Sequence, residues 1–215
     1  MKKLYILILF IVISSIIFAG GTKEIRTIGF KGAVDYLEGD VFINGNSAVV
    51  GSSVEDGDVI STEKDSSCEI IFNQGNIFHL EEETLIEIKW AENRININKG
   101  AMGSVFSKLK KLIPQGEVLT LSTPSAAAGV RGTAFYIRVE DEKNTYICTC
   151  NGSLKLSAGD EIIQTETQYH KAYRFTQVGE DIRVSSAGLL YHKDEDMDKL
   201  ASRIDQAIPW VKSSY

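Results

Sequence analysis

Cys68-Glu69-Ile70-Ile71-Phe72, then Asn73-Gln74-Gly75-Asn76, then Ile77-Phe78-His79-Leu80: two short apolar runs joined by a polar, glycine-containing turn. Such a pair reads as a β-hairpin. Working outward, the same grammar extends from residue 33 to about 100. Upstream, Ala33 to Leu37 meets Glu38-Gly39-Asp40, and Val41-Phe42-Ile43 meets Asn44-Gly45-Asn46. Asn-Gly favours a two-residue hairpin turn, because both positions want positive φ. Asp56-Gly57-Asp58 precedes Val59-Ile60. Downstream come Leu85-Ile86-Glu87-Ile88, then Ile95-Asn96-Ile97-Asn98 with Lys99-Gly100 behind it. Turns at this spacing predict an all-β fold of short antiparallel strands, arranged as a sandwich or a solenoid-like stack.

Two stretches depart from this pattern. Ser104 to Leu112 places Val105, Leu109 and Leu112 on one helical stripe, with Lys108, Lys110 and Lys111 mostly off it, and predicts a short helix. Near the C-terminus, Met197, Leu200, Ile204 and Ile208 repeat every three or four residues. Asp194, Glu195, Asp196 and Asp198 crowd the first turn, as suits a helix N-terminus, and Pro209 is expected to end the run. This amphipathic helix is expected to close one end of the β core with its apolar stripe.

The chain begins with Lys2 and Lys3, an apolar run from Leu4 to Phe18 broken only by Ser14 and Ser15, and Ala19-Gly20-Gly21. That order is the grammar of a secretory signal, assigned to residues 1–19. At 1.5 Å per residue the run spans about 22 Å, short of the roughly 30 Å hydrocarbon core, which favours a cleaved signal over a retained anchor. The expected location is therefore outside the cytoplasm, in the periplasm or cell envelope. Membrane attachment is expected only through this segment, if it stays uncleaved. A net charge of −6 argues against a nucleic-acid partner, which a basic surface would attract.

Residues 122–139 read Ser-Thr-Pro-Ser-Ala-Ala-Ala-Gly-Val-Arg-Gly-Thr-Ala-Phe-Tyr-Ile-Arg-Val. A small-residue loop with Gly129 and Gly132 feeds a strand in which Phe135, Ile137 and Val139 alternate with Tyr136 and Arg138. This segment resembles the FecR-type domain of bacterial envelope proteins, whose hallmark is a Thr-Pro stretch followed by Gly-Val-Arg-Gly-Thr-x-Phe. Gly39-Asp40-Val41, Gly57-Asp58-Val59-Ile60-Ser61-Thr62 and Asn98-Lys99-Gly100 are similar to the family's upstream strands. The resemblance spans residues 33–156 and leaves 157–215 as a β extension with the C-terminal helix. It implies a binding or sensing module. In founding members a cytoplasmic segment contacts a sigma factor. Only three residues precede the apolar run here, so no sigma-factor contact is expected; an envelope protein or glycan is the expected class of partner. Arg131 reads either as a ligand contact or as a guanidinium tying the glycine turns together.

Beyond the motif, Thr145-Tyr146-Ile147-Cys148-Thr149-Cys150-Asn151-Gly152 reads as a strand that presents Cys148 and Cys150 on one face. Two of the three histidines follow, His170 and His192, the second just before the acidic helix start. Two thiolates and two imidazoles form a tetrahedral set suited to Zn²⁺ or another soft divalent ion. Cys-x-Cys-x-Gly, then His, then His-x-Asp is also similar to a pattern in a subset of exported FecR-type proteins, with Tyr169-His170 where that pattern pairs histidines. The alternative is that both cysteines are small core residues and both histidines are solvated. Cys68 and His79 read as structural, and Glu81-Glu82-Glu83 as a solvated turn. Gly-x-Ser-x-Gly, Gly-x-Gly-x-x-Gly, a phosphate loop and His-Glu-x-x-His are all missing. No catalytic residues are assigned, and the expected protein is not an enzyme.

Overall fold

The computed structural model describes residues 31–73, 75–107 and 118–211. The signal segment and Lys108 to Leu112 of the expected internal helix lie outside the described residues. Among the described residues, fifteen strands and one α-helix follow in order. β1 (Gly32–Glu38), β2 (Val41–Ile43), β3 (Asn46–Ser47), β4 (Ser53–Val54) and β5 (Val59–Thr62) are short. So are β6 (Ser67–Phe72), β7 (Asn76–Leu80), β8 (Leu85–Lys89) and β10 (Leu119–Ser122). Three strands are long: β9 (Arg94–Phe106), β11 (Ala127–Val139) and β12 (Asn144–Ala158). β13 (Glu161–Thr167), β14 (Lys171–Val178), β15 (Asp181–Ala187) and α1 (Asp194–Ser202) follow. The all-β reading with a C-terminal helix holds, and among the described residues only the β9–β10 pair is parallel.

The long strands fold one connected sheet into two layers, because each changes partners partway along. The first half of β9 pairs with β8 and β10, and its second half with β7 and β11. The first half of β11 pairs with β10, and its second half with β9. β12 pairs first with β14 and then with β13. The corners fall at glycines. Gly100 has φ +80°, and a Cβ there would lie 2.3 Å from Thr84 Oγ1 and 2.5 Å from its Cα. Gly132 and Gly152, both at positive φ, flank the register shift where β11 and β12 turn together.

Lys99-Gly100 is thus a bend within a strand rather than its end. The expected helix from Ser104 is overturned in its first residues: β9 continues through Phe106, and the Ser107 N–H donates to the Gly75 carbonyl. The physical reason is burial on both faces. Met102 and Phe106 point into the space between the layers, while Ala101 and Val105 point outward beneath α1. A strand covered on both sides loses the polar alternation that would identify it.

This parity creates two apolar clusters. The inner one fills the sandwich with Phe72, Phe78, Phe106, Phe135, Ile137, Ile147 and their neighbours. The outer one lies on the opposite face of the β7–β9–β11–β12 layer, where Ile77, Ala101, Val105, Tyr136, Tyr146, Cys148 and Cys150 meet Met197, Leu200, Ala201, Ile204 and Ile208. α1 therefore packs on the outside of the sandwich rather than plugging an end. The helix ends at Ser202, well before the Pro209 expected to stop it, so Ile204 and Ile208 reach the same layer from a following turn and tail.

Candidate metal centre

The sequence places Cys148 and Cys150 two residues apart on β12, so both side chains share its outer face. Cys148 stands opposite Tyr136 on β11 and Ala172 on β14. The register shift between Ala134 and Phe135 leaves Cys150 as the extra residue of a bulge, between the Thr149–Phe135 and Asn151–Ala134 pairs. His170 comes from the connection between β13 and β14. His192 comes from the segment linking β15 to α1. The four residues assigned from sequence are thus brought together from three separate parts of the chain.

Their donor atoms all lie within 4.8 Å of one another. The two Sγ atoms are 3.8 Å apart, Cys148 Sγ is 3.5 Å from His170 Nδ1, and Cys150 Sγ is 3.3 Å from His192 Nε2. Tetrahedral zinc, with its usual bond lengths, asks for separations of about 3.8 Å between sulfurs and about 3.5 Å between sulfur and nitrogen. Three of the distances are therefore close to those a single ion would impose.

The remaining ring nitrogens are also engaged. His170 Nε2 is 2.9 Å from Asp194 Oδ1, and His192 Nδ1 is 2.9 Å from the Leu190 carbonyl oxygen. A carboxylate behind one imidazole and a carbonyl behind the other fix the tautomers that leave Nδ1 of His170 and Nε2 of His192 facing the sulfurs. Packing fixes the ring planes. Tyr136 stacks on His192 with centroids 4.5 Å apart, and Trp210 on His170 at 5.0 Å. Tyr169, standing where the related pattern has a second histidine, sets its ring edge against both His170 and Trp210, and its hydroxyl donates to Asp194 at 3.3 Å.

Electrostatically the two sulfurs differ. A hydrogen bond from the Cys150 thiol, assisted by the two imidazoles and opposed by burial, pulls Cys148 down to about 4. Burial pushes the Cys150 thiol well above its ordinary range, and the neighbouring Cys148 adds to this. Burial disfavours the His170 cation, but the Cys148 sulfur and the Asp194 carboxylate outweigh it and raise the group. The pocket therefore already favours one thiolate, and a divalent ion would stabilise two.

The other sequence readings fall outside this centre. Cys68 is fully buried in the inner core, its thiol pushed up to about 12 by burial. His79 faces Glu69 at 3.7 Å, and Arg131 is exposed on β11. Glu81 is less solvated than its acidic neighbours suggest: it accepts from the Tyr136 hydroxyl at 2.8 Å and from Arg138 at 3.0 Å. With Glu69, Glu82 and Asp196 it lines an open groove of about 410 Å³ whose wall includes His192. Sequence reasoning missed the support of the site. Asp194 was visible as part of His-x-Asp, but it serves His170 rather than the histidine two residues before it. Nothing local in the sequence marks Tyr136, Trp210 or the Leu190 carbonyl.

Residues 58–155 match the family model described as FecR protein. No curated protein matches the chain. Two crystal structures of a candidate anti-sigma factor from Parabacteroides distasonis, at 2.50 and 1.65 Å resolution, are similar to it, each with 13% sequence identity and a TM-score of 0.47. Each similarity covers 60% of this chain and 59% of that one. The family match contains the Gly-Val-Arg-Gly-Thr-x-Phe segment and both cysteines, and residues 58–155 form a FecR-type domain within the chain.

Proposed function

We propose that this FecR-domain protein is an exported, non-catalytic interaction module of the bacterial envelope that binds one soft divalent metal ion, zinc by preference, through Cys148, Cys150, His170 and His192. The family supports a regulatory or interaction role. One observation carries the metal: four soft donors at close to tetrahedral spacing, with both imidazoles oriented from behind. Four protein ligands leave no open coordination position, which suits a structural or sensing ion better than a catalytic one. The leading apolar run supports export, and the partner class it implies is an envelope protein or glycan.

Elemental analysis of the chain purified under reducing conditions, without added metal, tests the centre. Near one equivalent of zinc, lost in a Cys148→Ser, Cys150→Ser double variant, is the expected result. A well-folded protein that carries no metal and takes up none from added zinc or cobalt would overturn it. Fractionation of expressing cells, with N-terminal sequencing of the product, tests export. A full-length product retained in the cytoplasm would refute that part alone.

A further inference from the structure

We propose that the metal centre is a clasp: it holds residues 188–211 as one arm against the outer face of the sheet, and loss of the ion releases that arm while the sandwich stays folded. This rests on the metal reading above and adds what the ion controls.

The arm is built apart from the sandwich. Each of its buried apolar side chains, Met197, Leu200, Ala201, Ile204 and Ile208, belongs to the outer cluster, and none belongs to the inner one. Among the described residues it contributes no strand to the sheet. Its helix has nine residues, too few to hold its shape without packing. Its polar ties mix buried and rim contacts: the Tyr146 hydroxyl, on a residue fully buried in β12, donates to the Gly188 carbonyl at 3.0 Å and accepts from the Leu190 N–H at 3.1 Å. Arg203 reaches Asp35 and Glu69, and Tyr191 reaches Glu140 from a residue 46% exposed. The exposed pairs among these contribute little.

The ion would reach the arm twice. His192 is itself on the arm. His170 is not, but its Nε2 meets Asp194, the first residue of α1. On the sheet side both sulfurs sit on β12, a strand of the folded body. Occupancy therefore joins the sheet to an arm packed apart from its inner core, the arrangement in which binding energy becomes local folding energy. Release would uncover Ala101, Gly103, Val105, Ala134 and Tyr136, the floor on which α1 rests.

Hydrogen exchange of the full chain, read by mass spectrometry with zinc and after its removal by a chelator, tests this, with metal content measured on the same samples. The expected result is that amides of residues 194–204 lose at least about a hundredfold of their protection on chelation, while those of β6, β7 and β9 change less than about threefold. Zinc that binds stoichiometrically but leaves the arm equally protected when removed would overturn the clasp and spare the metal centre. Loss of protection throughout the sandwich would also overturn it, making the ion part of the global fold. Absence of zinc binding would overturn both. A His192→Ala variant separates the arm from the ion. It should show fast arm exchange even with zinc, and zinc-restored protection there would refute the coupling.

Discussion

Asp194 offers the sharpest test of the centre, because it stands behind a proposed ligand and yet should set the metal affinity. Its carboxylate lies 2.9 Å from His170 Nε2, and the two side chains are 12% and 5% exposed. A hydrogen bond to a charged group in such a setting is worth about 1.5–3 kcal/mol. Asp194→Ala removes it and strands a buried ring N–H, so affinity should fall roughly 10- to 100-fold. Asp194→Asn keeps an acceptor but loses the charge, at a cost of about 1–1.5 kcal/mol or about tenfold. The series Asp, Asn, Ala should therefore be graded. Competition for zinc against a chromophoric chelator at fixed pH and ionic strength measures it. Asp194 also belongs to an acidic first turn, so Glu195→Gln is the control: Glu195 is exposed in the same turn and should shift affinity less than about twofold. Equal losses in Glu195→Gln and Asp194→Asn would mean that the helix terminus, not the imidazole, is responsible. Parent affinity in Asp194→Ala would refute His170 as an oriented ligand.

Three further outcomes are expected. Gly100→Ala would force a side chain into Thr84 at a positive φ and should cost about 3 kcal/mol, lowering the melting temperature by about 6–12 °C in a calorimetric scan. Trp210→Ala should speed zinc transfer to a chelator by about two- to tenfold in stopped flow, because the ring stacked on His170 covers that ligand; an unchanged rate would deny it a covering role. Asp141 accepts first from the Asn144 side chain and then from backbone N–H groups in the β11–β12 turn, which lowers its carboxyl. A depressed carboxyl stabilises the fold above the unfolded value near 3.9, and that contribution fades as pH falls through the lower folded value. Asp141→Asn should therefore flatten the low-pH end of the stability curve and leave the slope near neutrality unchanged.

How much was legible can be argued residue by residue. The strands from Ala33 to Ile97 could be read because turn residues separate them, and Asn44-Gly45 marks its hairpin outright: both residues sit at positive φ. The helix start at Asp194 could be read from its charges. The second half of β9 could not, because Ala101 to Phe106 is buried on both faces and shows no polar alternation. The ligands were legible as chemical types, since soft donors are few in this chain. Their support was not: Asp194 meets His170 across 24 positions, and Tyr136 meets His192 across 56. Such contacts follow from which strands become neighbours, and no local pattern encodes that.

The two clusters also show how this sandwich would hold the proposed ion without rebuilding its core. Along β11 and β12, side chains alternate between the inner and outer faces, so Phe135, Ile137 and Ile147 fill the sandwich while Tyr136, Tyr146 and Cys148 face away from it. Substituting the outward set changes the centre and the seat of α1 but leaves the inner packing untouched. One parity of these strands therefore builds the core and the other is free to carry a site. Phe135→Ala and Cys148→Ser, neighbouring strands but opposite faces, should accordingly have separable effects. The first should cost about 3–5 kcal/mol of sandwich stability and leave zinc stoichiometry intact in the folded fraction. The second should abolish tight zinc binding with little loss of sandwich stability. Strong coupling between them in a double-mutant cycle would show that the two layers are one cooperative unit, and the separation argued from parity would fail.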